Sequence, residues 1–221
     1  MHCRLYSGLV PGLGMTDAYP LKPFRVSTAA TLCAIMRAYP LVTLISGAAG
    51  TAQTTLIPLL VEGSSLDDLA LIGHLDRNNA HSGALVPGAP LSFLFQGPNA
   101  YASPDLYPGP QLPGWLYVVV KSDGVVESLR GEEELRSTLM VSTRTFGAAD
   151  QVFTLDADDP RIDLFINDIR GFRIRVTAIS GTAKLAQDKG IDDSPRARNF
   201  LAGLDNGDSG ALFDRLLAET L

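Results

Sequence analysis

The stretch Phe95-Gln96-Gly97-Pro98-Asn99-Ala100-Tyr101-Ala102-Ser103-Pro104-Asp105-Leu106-Tyr107 sets an apolar run directly against turn formers and aromatic side chains. Gly97-Pro98 predicts a turn at the end of a strand, because glycine frees the backbone and proline fixes φ. Beyond that turn, Tyr101, Tyr107, Asn99 and Ser103 put flat faces and hydrogen-bonding groups into a short segment. Such a segment serves either as a ligand wall or as a well-packed loop.

Working outward, the chain repeats this texture. Leu41–Ser46, Thr54–Val61, Leu69–His74, Leu91–Gln96 and Trp115–Lys121 are short apolar or alternating runs bounded by Gly, Pro and Asp, the pattern of β-strands. Asp123-Gly124 between two apolar runs predicts a hairpin turn, with Gly124–Leu129 as the next strand. Phe172–Ile179 alternates apolar residues with Arg173, Arg175 and Thr177, which predicts a half-exposed strand. Helices are predicted over Val26–Tyr39, Gly131–Phe146, Asp159–Ile169 and Ser194–Leu204, and from Ala211 onward. Ser27 or Thr28 would cap the first, and Pro160 sits in the first turn of the third. No βαβ rhythm or Gly-x-Gly-x-x-Gly loop occurs. The expectation is a mainly β (α+β) fold, a small closed or split β-barrel with peripheral helices. Residues 1–24 form an arm, 25–204 the domain and 205–221 a helical tail.

Among 221 residues, 46% are hydrophobic and 19% charged, enough for one buried core. A net charge of −6 and the absence of a basic run argue against direct nucleic-acid binding. Cys3 and Cys33 stand outside any CxxC spacing, so two reduced thiols are expected. No apolar run reaches the ~18 residues of a membrane helix. Arg4 is followed by Gly and Pro instead of a leader's apolar core, and the expected compartment is the cytoplasm.

Four segments could carry chemistry. Gly73-His74-Leu75-Asp76-Arg77-Asn78-Asn79-Ala80-His81 opens from a strand into a polar loop, where side chains converge on ligands. His74 reads either as a structural imidazole or as a ligand. The second segment is the Phe95–Tyr107 stretch itself. In the third, Trp115 and Tyr117 share a strand face and would wall a planar ring or fill the core. In the fourth, Lys184 to Lys189, with Arg196 and Arg198, could hold phosphate or carboxylate, or form a solvated face. No Gly-x-Ser-x-Gly elbow, P-loop or HExxH is present.

In this order, Pro58-Leu59-Leu60, Gly73-His74 with Arg77 and Asn79, Phe95 through Tyr107, Pro113-Gly114-Trp115-Leu116-Tyr117, Gly171-Phe172 and Lys184-Leu185-Ala186-Gln187-Asp188 resemble the PaiB-like family of FMN-binding proteins over about 19–204. The resemblance implies a split β-barrel of the FMN-binding type, a homodimer, and cofactor sites at the subunit interface. The chain departs from the family pattern at Gly114, Leu116, Lys121, Ala186 and Asp188, and a carboxylate at 188 would repel a phosphate. That shifts the expectation toward the family's haem-dependent branch, the piperazate synthases, which close an N–N bond in the small molecule N5-hydroxy-L-ornithine to give L-piperazic acid. On that resemblance haem b is the cofactor, with His74 as the iron ligand and His81 as second choice. Arg77, Asn79, Tyr101, Trp115, Lys184 and Gln187 would surround the cofactor, and Lys121 and Tyr117 would move protons. The alternative is FMN, in a PaiB-type transcriptional regulator or a flavin-dependent oxidoreductase.

Overall fold

A computed structural model describes residues 4–5, 20–47, 51–147, 153–190, 192–204, 212–213 and 215–216. Among these, nine strands form one sheet: β1 (Arg4–Leu5), β2 (Arg25–Val26), β3 (Leu41–Ser46), β4 (Gln53–Pro58), β5 (Leu60–Glu62), β6 (Ala70–Asp76), β7 (Pro90–Ala102), β8 (Gly114–Leu129) and β9 (Ile169–Lys184). The main path runs β4-β3-β7-β8-β9-β6-β5, all antiparallel, while β1 and β2 add to β9.

The order closes the fold. β4 and β5 lie at opposite ends of the path, yet only Leu59 separates them in sequence. The sheet must therefore coil until its ends meet. The expected single strand Thr54–Val61 is broken at that corner. Leu59 turns inward, 1% exposed, and its N–H donates to the Pro40 carbonyl.

Strand alternation sorts the side chains. Val42, Leu44, Phe93, Phe95, Val118, Val120, Phe172 and Ile174 point into one continuous core. Helix α1 (Ala29–Ala38) joins that core through Leu32, Ile35 and Met36, and Thr28 caps it by accepting from the Thr31 N–H at 3.2 Å. Gly181 lets Leu32 approach β9; a Cβ there would sit 2.4 Å from Leu32 Cδ2. Phe213 and Leu216 are buried in the same core, so the C-terminal segment packs with the barrel.

Helices α2 (Glu132–Phe146) and α3 (Pro160–Phe165) build a small second core of Leu135, Ile162 and Ile166. Helix α4 (Asp193–Leu204) contributes Ala197 and Leu201 to the main core. The helix predicted over Asp159–Ile169 is shorter, ending at Phe165 and tightening into a 3-10 turn over Ile166–Asp168. The helix predicted from Ala211 falls largely outside the described residues.

Two turn readings are corrected. Asp123-Gly124 is not a hairpin: β8 runs straight through it for 16 residues. Gly97-Pro98 does not end a strand either; β7 continues to Ala102 across a register shift between Gln96 and Asn99. Gly97 is needed because the Tyr39 ring lies 3.0 Å from where its Cβ would be.

Candidate functional site

The outer face of the coiled sheet collects the aromatic and cationic residues singled out above. Tyr101 and Trp115 are cross-strand partners with ring centroids 6.2 Å apart in an edge-to-face contact, and both are about half exposed. Trp115 Nε1 donates to Asn99 Oδ1 at 3.1 Å, which fixes the indole. Tyr117 pairs with Lys184 across β8 and β9, and Lys121 follows on the same face. Trp115, Tyr107, Lys184, Lys189 and Asp188 line a crevice of about 150 Å³. Burial, then the Asp193 and Asp188 carboxylates, push the Tyr107 phenol up, so it stays protonated and can donate. Those carboxylates make the crevice a poor seat for a dianionic phosphate. Gln187 props the turn beneath: Oε1 accepts from the Leu185 N–H at 2.7 Å and Nε2 donates to the Ala183 carbonyl at 2.6 Å. Its amide is thereby committed to the backbone.

Further along the same face, a cleft of about 750 Å³ opens between the end of β3 and strands β7, β8 and β9. Lys121 and Asp123 stand in it with Nζ and Oδ2 3.2 Å apart. Ser92 donates to Asp123 Oδ1 at 2.5 Å. Sequence reasoning missed Asp123 because the turn signal of Asp-Gly hid a strand carboxylate.

The histidine segment lies at the other end of β9. His74 points to the outer face of β6 and pairs with Gly171, over which Leu135 of α2 packs; a Cβ on Gly171 would meet Leu135 Cδ1 at 2.7 Å. The His74 ring is half-buried, and no hydrogen bond to it exists among the described residues. Desolvation lowers its pKa below the usual 6.5, so it is neutral at physiological pH with a lone pair to give. Arg77 is exposed on the following turn, its N–H held by the Asp168 carbonyl at 2.8 Å.

The loop beyond is stitched to the barrel. Asn79 Oδ1 accepts from the His81 N–H at 2.9 Å and from Thr55 Oγ1 at 3.2 Å. His81 Nδ1 lies 2.7 Å from Thr55 Oγ1, and the ring is 0% exposed. This corrects the second-choice ligand: a sealed imidazole that clamps β4 cannot meet an incoming iron. No group of three or more His, Cys, Asp or Glu side chains that could hold a bare metal ion occurs among the described residues. No helix among them is long and apolar enough to cross a membrane.

One protomer does not gather the two groups. His74 pairs with residue 171 of β9 and Tyr117 with residue 184, a strand path of roughly 40 Å. An aromatic, cationic half-site and an imidazole half-site thus stand apart on one outer face.

Comparison with known proteins follows the same outline. The family described as putative FMN-binding domain matches residues 18–178. The protease synthase and sporulation protein PAI 2 of Bacillus subtilis (strain 168) is 24% identical over 176 residues, 79% of this chain and 84% of that protein. Among solved structures, the FAD and haem binding protein from Mycobacterium smegmatis aligns with a TM-score of 0.56 at 14% identity, covering 78% of this chain and 79% of that one. The flavocytochrome Anf3 from Azotobacter vinelandii aligns at 0.53 and 14% identity over 72% of this chain and 69% of that one. At these identities the structures speak for the fold alone. With an antiparallel sheet coiled on itself and a family match over most of its length, the chain belongs to the PaiB-like, split-barrel family of FMN-binding domains.

Proposed function

We propose that this protein is a homodimeric haem enzyme of the piperazate synthase type, with His74 as the axial ligand to haem b. The observation that carries the reading is the state of that imidazole. It is neutral, half-open to solvent on the outer face, and uncommitted to any hydrogen bond among the described residues. A structural histidine of equal burial normally spends both nitrogens on partners, as His81 spends Nδ1 on Thr55.

The donor set fits a flat anionic macrocycle. Tyr101 and Trp115 offer aromatic faces, and Lys184 and Arg77 offer cations for carboxylates. The exposed apolar groups on the sheet and the separation of the two half-sites both favour a site completed by a second copy. When bound, haem supplies a Lewis-acidic iron able to weaken an N–O bond. The reaction is redox-neutral: the N–O bond of N5-hydroxy-L-ornithine breaks, an N–N bond forms, and hydroxyl leaves with a proton as water. The chain's own residues fold the substrate so that its two nitrogens meet. They also move protons, for which the Tyr117 phenol on the open face is the candidate.

An FMN-binding regulator or oxidoreductase is the second reading, supported by the family match. Absorption spectra separate the two. Purified protein supplied with haemin develops a Soret band, His74→Ala loses it, and added imidazole restores it in the variant. A wild-type protein with no Soret band, or a variant with an unchanged one, defeats the haem assignment. Quenched flavin fluorescence with no haem uptake establishes FMN instead.

A further inference from the structure

We infer that the cleft around Lys121 and Asp123 is an amino-acid site, in which Lys121 takes the α-carboxylate and Asp123 the α-ammonium of a substrate with a linear aliphatic chain. The largest cleft described on the molecule places these two opposite charges side by side, Nζ to Oδ2 at 3.2 Å. In an α-amino acid one carbon separates the ammonium nitrogen from the carboxylate carbon, about 2.5 Å from standard bond lengths. The two spacings are commensurate. The ligand's charges would sit beside their opposites, giving a closed square of alternating sign.

The two residues are unequally held, as such a role requires. Lys121 is 54% exposed and can swing toward a carboxylate, whereas Asp123 is 21% exposed and pinned. Ser92 fixes Oδ1 at 2.5 Å, and Thr177 donates to the Asp123 backbone carbonyl at 3.1 Å. An exposed Lys–Asp pair contributes little to stability on its own, so exchanging it for a ligand's charges is cheap. The rest of the lining sorts by chemistry. Ile45, Pro90, Leu91 and Val125 give an apolar wall for methylenes, and Ser46 and Thr51 give hydroxyls at the rim. Lys121 accordingly becomes a substrate anchor, and proton transfer falls to another group.

The proposal rests on the preceding reading only for its choice of ornithine as probe, so it is tested without haem. L-ornithine, putrescine (no carboxylate) and 5-aminovalerate (no α-amine) are titrated calorimetrically into the full chain, free of cofactor. L-ornithine should bind roughly tenfold or more tightly than either analogue, because a site built for a charged group rejects ligands that lack it. Lys121→Met should erase the preference over putrescine alone, and Asp123→Asn the preference over 5-aminovalerate alone. Equal affinities for the three compounds, no L-ornithine binding, or variants that keep both preferences overturn the assignment. Should Asp123→Asn misfold by circular dichroism, Lys121→Met on an exposed side chain decides the matter. Ornithine selectivity without a Soret band would leave the amino-acid site standing and remove only the haem reading.

Discussion

His81 and His74 sit seven residues apart and do opposite things. With Thr55 donating to Asn79, the His81 Nδ1–H donates to Thr55, and Nε2 is left buried without a partner. Burial lowers the His81 pKa below 6.5, and the Gln53 carbonyl opposes this only in part. The unfolded chain therefore binds a proton more readily than the folded one, and stability must fall as pH drops below about 6.5. His74 adds to the same trend, since desolvation lowers it as well. The urea midpoint should drop between about pH 7.5 and about pH 5.5, and drop less in His81→Gln, whose amide can still bond Thr55. Identical drops in both proteins would refute the clamp. The position of His74 at a strand end opening into a polar loop was legible in the sequence. Its distinction from His81 was not, because it depends on Thr55, which comes from a strand 19 residues upstream of His74.

Strand β8 shows how a local signal misleads. Ser122-Asp123-Gly124 carries the residues of a tight turn, yet it lies in mid-strand. There Asp123 is held by Ser92 and Lys121, and Gly124 serves close packing instead of a turn. A Cβ on Gly124 would lie 2.5 Å from Ile174 Cγ2 and 2.8 Å from the Arg175 carbonyl, where the β8–β9 register shifts. The bulge and the glycine go together, since the bent strand leaves no room for a side chain. Gly124→Ala should cost about 1–3 kcal/mol, the usual penalty for overpacking a core. Denaturant unfolding measures it, and a loss below about 0.5 kcal/mol would show that the contact relaxes freely. The other strands and α1, α2 and α4 were readable from alternation, helical spacing and caps, to within the shifts already noted. What stayed hidden was length: β7 and β9 outrun their apolar cores because pairing partners on both sides extend them. The joining of the cleft residues on neighbouring strands was hidden for the same reason.

At the scale of the molecule, the coiled sheet leaves one outer face with too much apolar surface for a solvated barrel. Leu41 and Leu56 are 57% and 66% exposed. They lie on adjoining strands, and Thr43 and Leu94 continue the Leu56 row to Lys121. Trp115 and Tyr101 stand on the same side, about half exposed. Contiguous apolar surface rimmed by polar groups marks an association site. A twofold axis through this face would bring the aromatic half-site of one copy toward the imidazole half-site of the other, and a single surface would then serve both assembly and cofactor. Leu56→Arg tests that economy. Placing a charge at the centre of a self-complementary patch puts it opposite its own copy, and such like-charge contacts cost several kcal/mol. Light scattering should find the wild-type chain at twice its monomer mass and Leu56→Arg at the monomer mass, with unchanged circular dichroism because the side chain faces outward. Haem uptake should fall with the dimer, although residue 56 belongs to neither half-site. A monomeric Leu56→Arg that still gives the full Soret band would show that one chain suffices to hold the cofactor. A variant that remains dimeric would move the interface to another face of the barrel.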